Sequence, residues 1–286
     1  MKTAILLITL FTLSMCQEHY DPKLIDKKEI KPISKTKPEL KKIDNTALTI
    51  EDKIFEKSIQ ISSIKDYESQ QTGVVIAKSF HILEDLFELN YRYPYLDDES
   101  YEAFNRYIAD KYLNIKKITN QILDDKEMIC DVTAGGCERD IKFLDFKVYS
   151  LQEDIVSILL YQENYYSGVA HSSYAFECLN FNLDKGEFIK FDDFFITGAE
   201  SSILKKINEK ISNGLRTGDL YYECWELTKE DFETYKNNFV VNEDYIVYYF
   251  DDCVVCPSFT GTYYVEISLE EIIGFLNLYN EKPTLG

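Results

Sequence analysis

Basic residues, histidine, glycine and long apolar runs are all scarce in this 286-residue chain, where 31 Lys and Arg face 50 Asp and Glu and there are only 3 His, 11 Gly and 1 Trp. The resulting charge of −19 excludes attraction to nucleic acid or to anionic lipid, because both would repel it. A His-Glu-x-x-His zinc pair, a glycine-rich phosphate loop, a calcium-loop pattern and a Gly-x-Ser-x-Gly elbow are all missing, so motif support for an enzyme is thin. The sequence assigns no catalytic residue, no metal and no cofactor. After the first residues no segment approaches the about 20 apolar residues that a membrane-spanning helix needs.

What is present begins with Lys2, the apolar run Ala4 to Leu13, and then Ser14, Met15 and Cys16. That is the order of charge, apolar core and cleavage site in a secretory signal. Leu13-Ser14-Met15-Cys16 resembles a lipobox, in which a lipid-modified cysteine becomes the mature N-terminus. Residues 1–15 therefore read as a lipoprotein signal peptide and Cys16 as the lipidation site. The expected location is the cell envelope, on the periplasmic or outer surface, with the membrane reached through the lipid. Residues 16–45 read as a flexible tether holding eight Lys, three Pro and no Gly. A chain of this kind spans on the order of 30 Å.

Six cysteines follow Cys16: Cys130, Cys137, Cys178, Cys224, Cys253 and Cys256. An even number suits disulfides in an oxidising compartment. Cys130 and Cys137 bracket a turn-forming stretch that brings two sulfurs together at the neck of a hairpin; the other pairings stay open. Without Lys2 the mature chain carries −20, and since the tether is +2 the folded part carries −22. Such a surface keeps a secreted protein soluble, and it also attracts a basic protein partner.

From residue 46 the pattern is mixed. Alternation over Leu48 to Ile61 predicts strands, and the spacing of Tyr101, Phe104, Ile108, Tyr112, Ile115, Ile118 and Ile122 predicts one helix. Strands follow at 143–150, 155–161 and 174–183, the last ending at the turn Asp184-Lys185-Gly186. A helix carries Ile203 to Leu215, Thr228 with Asp231 opens a shorter one, and Phe239–Val241 with Tyr245–Phe250 forms a hairpin. Ser268 and Glu271 predict a capping box on a final helix bearing Ile272, Phe275, Leu276 and Tyr279. The fold class is α+β, two-lobed, with mixed sheets and packed helices in a first domain at 46–128 and a second at 129–286.

Three segments carry a resemblance. Tyr93-Pro94-Tyr95-Leu96-Asp97, leading to Phe104-Asn105-Arg106-Tyr107-Ile108, resembles the first of two paired domains of unknown function. Tyr166-Ser167-Gly168-Val169-Ala170-His171, Asn180 to Gly186, Phe191-Asp192-Asp193-Phe194-Phe195, and Phe250-Asp251-Asp252 with Pro257 and Gly261 resemble the second. These domains form the ectodomain of RsiV-type anti-sigma factors, which sense lysozyme, and accompany the catalytic domain of PdaC-type peptidoglycan deacetylases. The resemblance implies an envelope ectodomain. The sequence shows neither a sigma-binding segment nor a deacetylase domain, so neither activity is expected to carry over.

The candidate binding residues are Tyr166, Gly168, Ala170, His171, Tyr174, Asp251, Pro257 and Gly261. His171 beside small residues suits either turn packing, ligand contact or proton transfer. Cys253 and Cys256 have the spacing of a thiol redox pair, but no helix follows to lower a thiol pKa, which favours a structural role. The pairs Asp192-Asp193 and Asp251-Asp252 follow aromatic residues at strand ends, where acids commonly face water. The 22 Tyr and 18 Phe suit half-buried sheets and can also present rigid contact surface. The leading reading is a non-catalytic, lipid-anchored binding module for an envelope component, such as a peptidoglycan fragment, or for a basic protein such as lysozyme. The alternative is an envelope hydrolase or thiol-redox protein built on His171 and an Asp, or on Cys253 and Cys256.

Overall fold

Alternation of side chains along strands sets the architecture of the computed structural model, which describes residues 74–129, 137–152, 155–167, 169, 171–242 and 244–277. Successive strand residues point to opposite faces. On β4 (Ile155–Tyr165), Ile158 and Leu160 join one core while Leu159 and Tyr161 join another. On β8 (Tyr245–Tyr249), Val247 and Tyr249 share the core of Leu159, whereas Ile246 and Tyr248 face a third. Two sheets, buried on both faces at their central strands, therefore stack between two layers of helices, and the mixed α+β class predicted from the sequence is the class observed.

The larger sheet has the order β1-β2-β3-β4-β5-β6. β1 (Val75–Leu83) and β2 (Phe87–Leu96) form an antiparallel hairpin, and β2 then pairs in parallel with β3 (Asp140–Gln152). These two strands lie on either side of residue 128, so a single sheet runs across the expected junction. β3, β4, β5 (Ser173–Asn182) and the short β6 (Glu187–Ile189) continue as an antiparallel meander. The smaller sheet consists of β7 (Phe239–Val241), β8 and β9 (Tyr264–Ser268), all antiparallel.

The crossover from β2 to β3 is made by α1 (Glu102–Tyr112) and α2 (Ile115–Ile129), where the periodicity predicts one helix. The break falls at Asn114, whose side-chain oxygen accepts from Lys117 N at 3.2 Å. Asparagine competes for backbone donors and starts a new helix in preference to continuing the old one. Phe104 of α1 packs edge-on against Phe181 of β5, at 5.5 Å between centroids.

The other helix layer contains the single turn α3 (Phe191–Phe194), α4 (Glu200–Thr217), α5 (Lys229–Tyr235) and the single turn α6 (Leu269–Ile272). α4 buries Ile203, Ile207 and Ile211 along the predicted face. α5 opens with a full capping box: Thr228 Oγ1 accepts from Asp231 N, and Asp231 accepts from Thr228 N. The last helix is shorter than predicted. Ser268 Oγ meets Glu270 N, and Glu271 binds Lys210 at 2.6 Å. A 3-10 turn (Ile273–Phe275) continues the helix, and Leu276, in extended form, then bridges to Phe195. Pairing with the residue after α3 thus takes Leu276 out of the helical periodicity; Tyr279 lies outside the described residues, as do the strands expected near 47–62.

Candidate functional site

The outer edge of β5 brings together two of the sequence candidates, Tyr174 and Asp251. Its first backbone amides that point away from β4 are each taken by a side chain. Tyr174 N donates to Asp252 Oδ2, Phe176 N to Asp251 Oδ1, and Cys178 N to Asn238 Oδ1, at 2.8, 2.8 and 2.7 Å. Asp252 N returns a bond to the Tyr174 carbonyl at 3.1 Å. Asn238 Nδ2 spans the Phe176 and Tyr249 carbonyls and so joins the two sheets. The Asp251-Asp252 pair is consequently not a solvated strand end. Its oxygens replace a neighbouring strand.

Around this edge lies a set of phenols. Tyr161 and Tyr174 both donate to Glu163, at 3.0 and 3.3 Å. Tyr235 donates to Asp251 Oδ2 at 3.1 Å. Tyr263 lies against Asp252 and packs at a tilt on Tyr174, 5.7 Å between centroids. Burial, then the charge of Glu163, holds the Tyr161 and Tyr174 phenols above their ordinary range, so both remain protonated donors. One strand residue further, Glu177 accepts from Tyr107, Lys111 and Tyr112 and anchors α1 to β5. No sequence signal pointed to Glu177, since its partners lie 65–70 residues away.

Burial is the largest influence on Asp251 and raises its carboxyl pKa, against the downward pull of Phe176 N and Tyr235. The folded state thus holds this proton more tightly than the unfolded chain. The associated stability is fully present below the unfolded value, about 3.9, and is lost as pH rises through the folded one. Asp251→Asn keeps an acceptor for Phe176 N and removes the titration. Thermal unfolding from acid to neutral pH should therefore show a flatter pH profile for the variant than for the parent. Asp251→Ala leaves the amide unpaired and should cost about 1–3 kcal/mol at every pH. If the Asn variant reproduced the parent's pH profile, Asp251 would not be the titrating group.

The other described candidates, Tyr166, His171, Pro257 and Gly261, lie outside regular strands and α-helices. Tyr166 is exposed, with Lys142 Nζ at 5.0 Å from its ring. Its neighbour Ser167 donates its amide to Asp140 Oδ1 at 2.7 Å, and that same oxygen receives Lys126 Nζ at 2.6 Å in a buried pair. His171 is exposed, with Nδ1 at 3.2 Å from the Ser172 carbonyl, and no His171–Asp ion pair is present among the described residues. Pro257 opens a 3-10 turn that Gly261 closes in the left-handed region, at φ 72°. Gly168 and Ala170 lie outside the described residues. Asp193 of the other acidic pair accepts from Lys190 N at 2.9 Å and caps its own turn.

Cys256 takes the structural role that the sequence favours over a redox pair. Cys256 is bonded to Cys224, not to Cys253. Cys253 adopts φ 64° on the turn after Asp252 and is a thiol, so the Cys253/Cys256 pair is not formed. Cys178, also a thiol, is enclosed between the sheets, with Leu159, Val247 and Tyr249 in the same core, and burial raises its pKa far above the ordinary value. Of the six disulfide candidates, Cys178 and Cys253 are thus thiols, the first sealed in a core and the second left out of the bridge that Cys256 makes with Cys224. Cys137 is disulfide-bonded, and Cys130 lies outside the described residues. An open depression of about 600 Å³ lies on α2, lined by Asn114, Lys117 and Asn120 among others, and contains none of the candidates.

Two solved structures bear comparison. A DUF3298 family protein from Pseudomonas aeruginosa PAO1 superposes with a TM-score of 0.51 over 73% of this chain and 93% of its own, at 14% identity. This chain shares that protein's fold. A member of the same family from Bacteroides fragilis, at 16% identity, gives a TM-score of 0.44 over 71% of this chain and 94% of its own. No protein-family model matches the chain, and no curated protein does.

Proposed function

We propose that the chain is a non-catalytic binding module, carried at the cell envelope by a lipid on Cys16, that recognises a basic protein such as lysozyme. The observation that carries this reading is the charge of −22 on the folded part, combined with exposed rings at Tyr166, Tyr222, Trp225, Tyr245 and Tyr264. Negative surface speeds the approach of a cationic partner, and aromatic side chains give contact area at little entropic cost. The resemblance to the lysozyme-sensing ectodomain supports the same choice. A peptidoglycan fragment, which bears carboxylates of its own, gains nothing from that charge.

Salt provides the test. With hen lysozyme as the probe and the mature chain immobilised, association should slow about tenfold or more as salt rises from 20 to about 200 mM, because steering is screened within about a Debye length. Absence of binding at the lower salt would remove lysozyme as the ligand.

A further inference from the structure

A second group of rings sits on the segment 218–227, which joins α4 to α5 and contains neither helix nor strand. The segment is held at several points. Gly218 ends α4 in the left-handed region at φ 83°, and Leu220 N bonds the Gly214 carbonyl at 3.0 Å. Cys224 is joined to Cys256, and Trp225 N donates to the Val255 carbonyl at 2.9 Å. Asn208 then clamps Leu227 twice, through its N–H and its carbonyl, at 2.8 and 3.0 Å.

This anchored backbone nevertheless turns large rings outward. Tyr222 is 68% exposed and Trp225 38%. Tyr221 supports Tyr222 at 4.3 Å between centroids and meets Phe259 edge-on at 5.2 Å. Rigid aromatic anchors that need no ordering on contact are the residues that dominate protein interfaces. Their surroundings are acidic: Asp219, Glu223, Glu226, Glu230 and Asp231 stand against Lys229 alone between residues 217 and 231. Ser212 Oγ donates to Glu226 and holds its carboxylate in place.

We propose that this disulfide-clamped segment is the docking face for a cationic protein, with Arg or Lys side chains of the partner stacking on Trp225 and Tyr222 and pairing with Glu223 and Glu226. The assignment rests on the binding-module reading and adds to it a place and a chemistry. Charge complementarity selects the occupant, since an anionic glycan or nucleic acid meets like charge here.

The test uses the mature chain, with hen lysozyme as the kinetic probe. Tyr222→Ala combined with Trp225→Ala should dissociate about tenfold faster or more. Glu223→Gln combined with Glu226→Gln should associate more slowly and show a shallower salt dependence. A second readout needs no variant: Trp225 is the only tryptophan in the chain. Binding of a tryptophan-free arginine-rich peptide, followed independently by the anisotropy of a label on the peptide, should shift Trp225 emission and protect it from acrylamide. If the parent binds lysozyme while both double variants, with unchanged Tm, bind within twofold of it, the docking face is elsewhere and only this inference falls. Peptide binding that leaves Trp225 emission unmoved has the same meaning. If the parent binds neither probe at low salt, the binding-module reading itself falls.

Discussion

Lys126→Met is expected to lower the free energy of unfolding by about 3–5 kcal/mol, the cost of leaving one member of a buried ion pair behind. Lys126 and Asp140 are both almost wholly enclosed, with side-chain exposures of 3% and 7%. The ammonium also donates to the Glu138 carbonyl, and Asp140 also accepts from Ser167 N. Removing the lysine strands a carboxylate at the point where α2, the start of β3 and the turn after β4 meet. Urea unfolding followed by far-UV circular dichroism measures the loss. Hydrogen exchange should speed up at Ser167 beyond what the global change explains, because its acceptor loses its fixed position. A loss below about 1 kcal/mol would mean that water reaches Asp140 and replaces the lysine. The double variant Lys126→Met with Asp140→Leu should recover part of the loss, since an apolar pair leaves no charge to bury.

Replacing both Cys224 and Cys256 by Ala is expected to cost about 3–4 kcal/mol in the chain-entropy model for a loop of this size, the two residues being 32 apart in sequence. The bond ties the segment after α4 to the turn after β8, two stretches with no ladder of their own. Guanidinium unfolding of the oxidised parent and the double variant gives the difference. The effect on the docking face should be separable from stability: at low denaturant, where both remain folded, the variant's Trp225 should become more accessible to acrylamide. Equal midpoints for parent and variant would show that the Asn208 clamp and the Trp225–Val255 bond hold the segment unaided.

Much of the fold was legible from periodicity. The strands β3, β4 and β5, the hairpin β7–β8, the inward face of α4 and the Thr228–Asp231 cap all follow from local patterns, and local patterns are what a sequence displays directly. The hairpin β1–β2 was missed although Phe87 to Tyr93 alternates, because β2 also contains Pro94, which argues against a strand, and because β1 does not alternate cleanly between apolar and polar residues. One helix became two at Asn114, where a side chain of two atoms' reach outweighed continuous apolar spacing. The last helix was overestimated because a long-range bridge between Leu276 and Phe195 competes with local propensity, and nothing in the local spacing reveals a partner some eighty residues away.

The site was less legible, for the same reason. Asp251 and Asp252 looked like acids at a strand end, and only the folded chain brings them to Phe176 and Tyr174, across sequence separations of 75 and 78. Cys224 was visible as a candidate, but its choice of Cys256 over Cys253 depends on where the turn after β8 comes to lie. The exposed rings of Tyr222 and Trp225 were indistinguishable in sequence from tyrosines that pack within sheets, because exposure is a property of the neighbours.

The row of bonds from Asp252, Asp251 and Asn238 along β5 has a consequence for life at high concentration. An unprotected strand margin is a template on which identical molecules add to one another. Here the donors that would recruit a second copy are already spent on carboxylate and amide oxygens of the same molecule, and two of those three groups are acids. A mutation that vacates any one of them reopens a sticky border, so precipitation and strand exchange would join thermal weakness among its symptoms.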